Sequence, residues 1–322
     1  MRYALFRRSL LFLFFAFLTL LSACVREPSQ PLRVGTNIWP GYEPLYLAAE
    51  LGYYKDTPIR LIQYPSSTEV MRAFQSGLLE VAALTVDEVL MVKDRGFDPQ
   101  IVVVTDFSNG ADVILGRSGT RTLHDLKGKK IGVESTALGA FFLTRALEKE
   151  GIPIDTITPV PLELSDHEEA FMKGKVDGLV TFPPVSSNLK DKGAVLLFDS
   201  SRIPGEIVDV LVVRKSEMEK HAECLEALRN GWFRAVEYLK SNPDDAAKKA
   251  APREKFTPQQ FLDSLKGIHI PDREEYSAMA DGRDVSLRDS MERLNRMMVS
   301  KGLVRRLQNP VPFVPIDALK NR

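Results

Sequence analysis

Ser66-Ser67-Thr68-Glu69, Thr85-Val86-Asp87-Glu88 and Ser165-Asp166-His167-Glu168 each place a hydroxyl three residues before a glutamate. This spacing opens a helix: the hydroxyl accepts one unpaired N–H of the first turn and the carboxylate accepts another. At Ser165 capping alone accounts for the pattern. Ser66 and Thr85 differ, because each directly follows a strand-like run. In open α/β sheets the crevice beyond the carboxyl ends of the strands is where ligands bind. A helix start there turns spare N–H groups and a partial positive charge toward an acceptor atom. Ser66, Ser67 and Thr85 are therefore candidate ligand contacts as well as caps.

Other familiar chemistry is missing. The four histidines (His124, His167, His221, His269) are scattered, and no HExxH, GxSxG or Walker sequence occurs. Two cysteines exclude a disulfide-rich scaffold and a four-cysteine zinc site. Cys224 lies in the helical pattern His221 to Leu228, where a lone cysteine behaves as a small buried hydrophobe. No enzyme activity and no cofactor are expected.

Cys24 has a different setting. Arg2, Arg7 and Arg8 precede an almost wholly apolar run from Leu10 to Leu21, then Leu21-Ser22-Ala23-Cys24 and the polar run Arg26 to Pro31. The apolar core is short for a membrane span and suits a signal peptide. Leu-Ser-Ala-Cys resembles the bacterial lipobox, in which the cysteine sulfur takes a diacylglyceryl group and becomes the new N-terminus. An ordinary secretory signal or an uncleaved anchor are the alternatives. With Val25 after the cysteine, inner and outer membrane both stay open.

The 322 residues carry 43 Lys+Arg against 43 Asp+Glu, 44% hydrophobic and 27% charged residues, an ordinary globular composition. Removing residues 1–23 takes away three arginines and leaves 40 basic against 43 acidic residues, which gives no electrostatic case for nucleic acid.

From Leu32, strand-like runs alternate with helical patterns. Strands are predicted at 32–38, 59–64, 81–84 and 101–104, with helices at 44–51 and 66–75. Asn109-Gly110 is a turn signal ahead of another strand, Val113 to Leu115. A second set follows: strands at 130–133, 158–162, 178–180 and 195–198, with helices at 138–150 and 168–172. Val208 to Val213 reads as a strand returning to the first unit. Beyond Lys215 the pattern is helical, broken at Pro243, Pro252, Pro258 and Pro271. This order argues for an α/β sandwich with helices on both faces.

Val34 to Ala48 with Glu50 to Tyr54, Ala73 to Gly77 with Glu80 to Ala82, and Thr122 to Val133 are similar to the periplasmic solute-binding proteins of ABC importers. The group is the one for nitrate, sulfonates, taurine and thiamine precursors. The resemblance covers most of the chain after Cys24. It implies a two-lobed type II periplasmic binding fold, each lobe an α/β sandwich, with ligand in the cleft between lobes. The expected division is signal peptide 1–23, tether 24–31, first lobe 32–113 with 214–322, and second lobe 114–213. The related fungal thiamine-pyrimidine synthases carry a cysteine-rich motif that this chain lacks.

On that pattern Asn37, Trp39, Tyr42 and Glu43 line the cleft from the loop after the first strand, the two aromatics offering faces for stacking or for a cation. Ser135 and Thr136 match the family's ligand-binding helix start, and Phe182 another cleft position. Asp106 and Asp112 flank the first crossover and Asp209 lies on the second. None of these candidates is Lys or Arg, which favours a nitrogenous or weakly cationic ligand over a strong anion, with a sulfonate-like ligand still open. The expected partners are an ABC permease and its ATPase, with the monomeric protein tethered through Cys24 to the periplasmic face of a membrane. The rival expectation is a sensor that reports occupancy to a membrane signalling protein.

Overall fold

The computed structural model describes residues 30–134 and 137–314. The expected lipidation at Cys24 and the expected contacts at Ser135 and Thr136 lie outside them. The chain first forms β1 (Leu32–Thr36), α1 (Glu43–Glu50), β2 (Ile59–Gln63), α2 (Ser67–Ser76), β3 (Val81–Thr85), α3 (Val86–Asp94) and β4 (Pro99–Ser108). It crosses into β5 (Val113–Gly116), β6 (Lys130–Glu134), α4 (Ala137–Lys149), β7 (Thr158–Leu162), α5 (His167–Met172), β8 (Gly178–Thr181), α6 (Val185–Asp191) and β9 (Val195–Asp199). It returns in β10 (Val208–Arg214). Then come α7 (Ala222–Ser241), α8 (Pro243–Ala250), α9 (Pro258–Leu265), β11 (Ile268–His269), α10 (Arg273–Ala280) and α11 (Ser286–Ser300).

These strands form two sheets, β11-β4-β10-β3-β1-β2 and β7-β6-β8-β5-β9. In the first, β1 runs parallel to β2 and β3, while β10 is antiparallel to both β3 and β4. In the second, β6 runs parallel to β7 and β8, and β5 is antiparallel to β8 and β9. The central strands β3, β4 and β10 are nearly continuous apolar runs, as strands covered on both faces must be. Local signals set the helices that frame them. Ser66 caps α2 by accepting from the Glu69 N–H at 3.3 Å, and Gly77 ends it at φ 83°.

The longest helix among the described residues, α7, buries Leu225, Leu228, Trp232, Ala235, Val236 and Leu239 at helical spacing against the first sheet's side of the molecule. Trp232 is fully enclosed, and Cys224 is buried there too, as the sequence implied for the cysteine.

Asn109-Gly110 turns the chain ahead of β5, as expected, and carries it from the first sheet to the second. One boundary needs correction. Strand β10, counted with the second lobe in the range 114–213, instead pairs on both sides within the first sheet. Its buried apolar face fits between β3 and β4, and that pairing outweighs any boundary drawn by position along the chain.

Candidate functional site

A cavity lies where the two sheets face each other, at the carboxyl ends of β1, β3, β6 and β8. From the first sheet come Asn37, Trp39 and Tyr42 of the loop after β1, Ser67 at the start of α2, and Thr85 with Glu88 at the start of α3. Asp209 enters from β10. The second sheet supplies Asp112 before β5, Glu134 at the end of β6, Leu138 in the first turn of α4, and Phe182 after β8. The internal volume is only ≈ 20 Å³, little more than a water molecule needs.

The aromatic wall is held by strands β4 and β10. Trp39 is buried rather than on an open rim, and its indole N–H donates to both carboxylate oxygens of Asp106, at 3.2 and 3.1 Å. The Tyr42 hydroxyl donates to Asp209. Trp39 also meets Phe182 edge-on, with ring centroids 5.6 Å apart, so one aromatic contact joins the two halves. Gly41 permits this packing: a Cβ there would collide with the Asp106 carboxylate and the Trp39 indole nitrogen. Gly139 does the same for α4, where a Cβ would meet the Glu134 carbonyl oxygen at 2.6 Å.

The crossovers are stitched together beside the cavity. The Ser108 and Ser200 hydroxyls lie 2.8 Å apart, and the Gly110 N–H donates to the Ser200 oxygen at 2.6 Å. The Asp112 N–H donates to Ser108 Oγ at 3.2 Å. Both serines are buried, so these bonds are shielded from competing water.

The electrostatics are those of crowded, buried acids. Burial pushes Glu134 up to about 8, with added repulsion from Glu88, Glu163 and Asp112. It pushes Asp112 to about 6 against the favourable bond to Ser108, and Asp106 to about 7 against the bond from Trp39. Asp87, next to Glu88 in the first turn of α3, rises to about 8 through burial and the neighbouring Glu88. Asp209 and Glu88 are raised chiefly by burial, Asp209 also by the facing Asp106. Glu88 Oε2 accepts the Thr85 N–H at 3.1 Å, which gives one arm of the expected capping box. Glu134 Oε1, Asn37 Oδ1 and Glu88 Oε1 are buried without a hydrogen-bond partner.

Asn37, Trp39, Tyr42, Ser67, Thr85, Asp112, Phe182 and Asp209 thus come together around one cavity. Three other candidates stand outside its lining. Glu43 is buried in an ion pair with Arg253, which lies far along the chain. Ser66 is spent on its cap, and Asp106 is turned to Trp39. Glu88, Glu134 and Leu138 line the cavity without having been singled out. Glu88 was visible as the last residue of its capping box, and Glu134 as an acid ending a buried strand beside Ser135. Among the described residues no cluster of three metal-ligating side chains occurs.

The profile of the NMT1/THI5-like family matches residues 39–246. The chain belongs to this family. The NMT1/THI5-like chain is 24% identical over 185 residues to the taurine-binding periplasmic protein of Escherichia coli K12, a stretch covering 56% of this chain and 58% of that protein. It spans about half the length of the curated relatives it matches. Its fold is that of the alkanesulfonate-binding protein SsuA of Xanthomonas axonopodis pv. citri, solved bound to MOPS, with TM-score 0.74, 20% identity, and 91% and 99% of the two chains covered. It also matches a ligand-binding component of an ABC-type import system from Staphylococcus aureus, solved with zinc, at TM-score 0.72, 15% identity, and 91% and 98% coverage. The NMT1/THI5-like chain therefore has the two-lobed periplasmic binding protein fold.

Proposed function

We propose that this protein is an extracytoplasmic solute-binding protein that holds a small organic molecule in the cavity between its two sheets and delivers it to an ABC import permease with its ATPase. The observation that carries this is the makeup of the cavity wall, with Asn37, Thr85 and Glu88 on one side and Glu134, Leu138 and Phe182 on the other. A solute touching both sides ties them together, and its release requires them to part. The relatives that bind taurine or alkanesulfonate support the role.

The described geometry is the closed form. A molecule larger than water enters when the halves rotate apart about residues 109–112 and 200–207. The lobes are then 32–108 with 208–314, and 113–199. The body works as a monomer, tethered through a lipid on Cys24 after cleavage behind Ala23.

Thermal shift with a panel of small solutes finds the ligand, since binding to the folded state alone raises its stability. Solution scattering then compares the free and bound forms. Compaction on binding supports the proposal, and tight binding with no change in dimensions counts against it. Mass spectrometry of the membrane fraction tests the tether: a diacylglyceryl mass on Cys24 is expected, and an unmodified thiol removes that part.

A further inference from the structure

The cavity's charge and unpaired atoms define its ligand more narrowly, given the proposal that the cavity is the solute site. Glu88, Asp112, Glu134 and Asp209 all reach its wall, and none of the described lining residues is Lys, Arg or His. A sulfonate brought among these four acids finds no counter-charge in the wall. The helix starts that elsewhere hold anions are partly taken, because Glu88 occupies the Thr85 N–H at the head of α3.

The unpaired atoms point the same way. Glu134, at 7% exposure, has Oε1 without a partner, and Asn37, also at 7%, has Oδ1 without one. Asn37 Oδ1 is an acceptor, and Glu134 offers two acceptor oxygens once a cation displaces its proton; they come from opposite halves, and both residues line the cavity. A buried acceptor left unpaired is costly, so the wall is complete only with a donor between them. The aromatic rings of Trp39, Tyr42 and Phe182 also line the cavity, and aromatic rings favour a neighbouring positive charge over a negative one.

We infer that the cavity takes an organic cation bearing N–H donors, a protonated amine or an amidinium, and rejects sulfonates. Quaternary ammonium ions, which have no N–H, leave Glu134 and Asn37 unsatisfied and bind more weakly than their protonated counterparts.

The test is a thermal-shift and calorimetric panel of benzylamine, benzamidine, agmatine and ethanolamine, matched with benzenesulfonate, taurine and the trimethylammonium analogues. It is run on wild type, Glu134→Gln and Leu138→Trp, the last filling the cavity. The expected result is that an amine or amidine binds wild type, loses roughly 30-fold or more in affinity in Glu134→Gln, and fails to bind Leu138→Trp. Circular dichroism confirms that both variants are folded. If a sulfonate binds, is lost in Leu138→Trp and is unchanged or tighter in Glu134→Gln, the cation inference is overturned while the site stands. If no cation in the panel binds, the inference is likewise overturned. A solute that binds Leu138→Trp as well as wild type overturns the placement of the site itself.

Discussion

Asp106 and Asp209 stand opposite each other across the antiparallel pair β4–β10, and each accepts a hydrogen bond from an aromatic residue of the loop after β1. Trp39 binds the first and Tyr42 the second. The strands that connect the two halves therefore also hold the aromatic wall of the cavity. The proposed rotation of the halves would therefore be coupled to the position of Trp39 and Tyr42 through these hydrogen bonds.

Replacing Trp39 by Phe keeps a ring against Phe182 but removes the indole donor from Asp106. A buried acceptor without its partner costs about 1–3 kcal/mol, so this variant melts moderately earlier and binds solute more weakly. Trp232→Ala instead empties a fully enclosed site and costs about 3–5 kcal/mol of folding, with solute preference intact. Denaturant titration and calorimetry on both variants check this. Normal binding by Trp39→Phe would show that the Trp39–Asp106 bond does not shape the site.

Gly41→Ala is the smallest change that attacks the same bond. Its methyl group must displace either the indole or the carboxylate, an overpacking that costs about 1–3 kcal/mol. The expected outcome is a lower melting temperature with a change in Trp39 fluorescence in the absence of solute. Unchanged emission and stability would contradict the packing described around Gly41.

The helix-strand order, the buried Cys224, and the return of Val208–Arg214 to the first sheet were legible in the sequence, because apolar runs and caps are local. The loop residues Asn37, Trp39 and Tyr42 were placed by the family resemblance, and the structure brings them to one cavity. Glu43 lies outside the cavity lining, paired with Arg253 from far along the chain, a contact no local pattern records. The burial of Trp39 depends on Asp106 and Phe182 meeting it from two other strands, and no local pattern records that. Glu134 escaped notice because a strand-end acid matters only once the opposite half closes over it.

The buried acids set a pH dependence. Glu134 faces Glu88, Asp112 and Glu163, and its pKa of about 8 lies well above that of an exposed carboxylate. Asp106, at about 7, is raised by burial and by Asp112, and Asp87, at about 8, by burial and Glu88. Groups raised in the folded state bind more protons there than when unfolded, so their stabilising effect is full at acid pH and lost as pH rises through the folded values. His167, held near 4 by burial, acts in the opposite sense, but only below about pH 6.5. The solute-free protein is therefore expected to lose stability from about pH 6.5 to about pH 8.5. Glu134→Gln flattens the slope. A denaturation midpoint that stays level or rises across this window would contradict the electrostatics of the site.

Ser200→Ala removes the oxygen that meets both Ser108 and the Gly110 N–H. The loss of about 1–3 kcal/mol expected for an unpaired buried donor should fall on the crossover. Hydrogen exchange should quicken at residues 108–112 and leave β6 to β8 protected as before. Exchange that quickens evenly over the whole chain would mean that the serine pair is ordinary core and not part of the hinge.

The most direct measurement is a crystal structure with the tightest-binding amine or amidine of the solute panel. The ligand nitrogen is expected within hydrogen-bond distance of the Glu134 carboxylate and Asn37 Oδ1, beside Trp39 and Phe182. Density for the bound molecule at any other place on the protein would contradict the assignment of this cavity as the solute site.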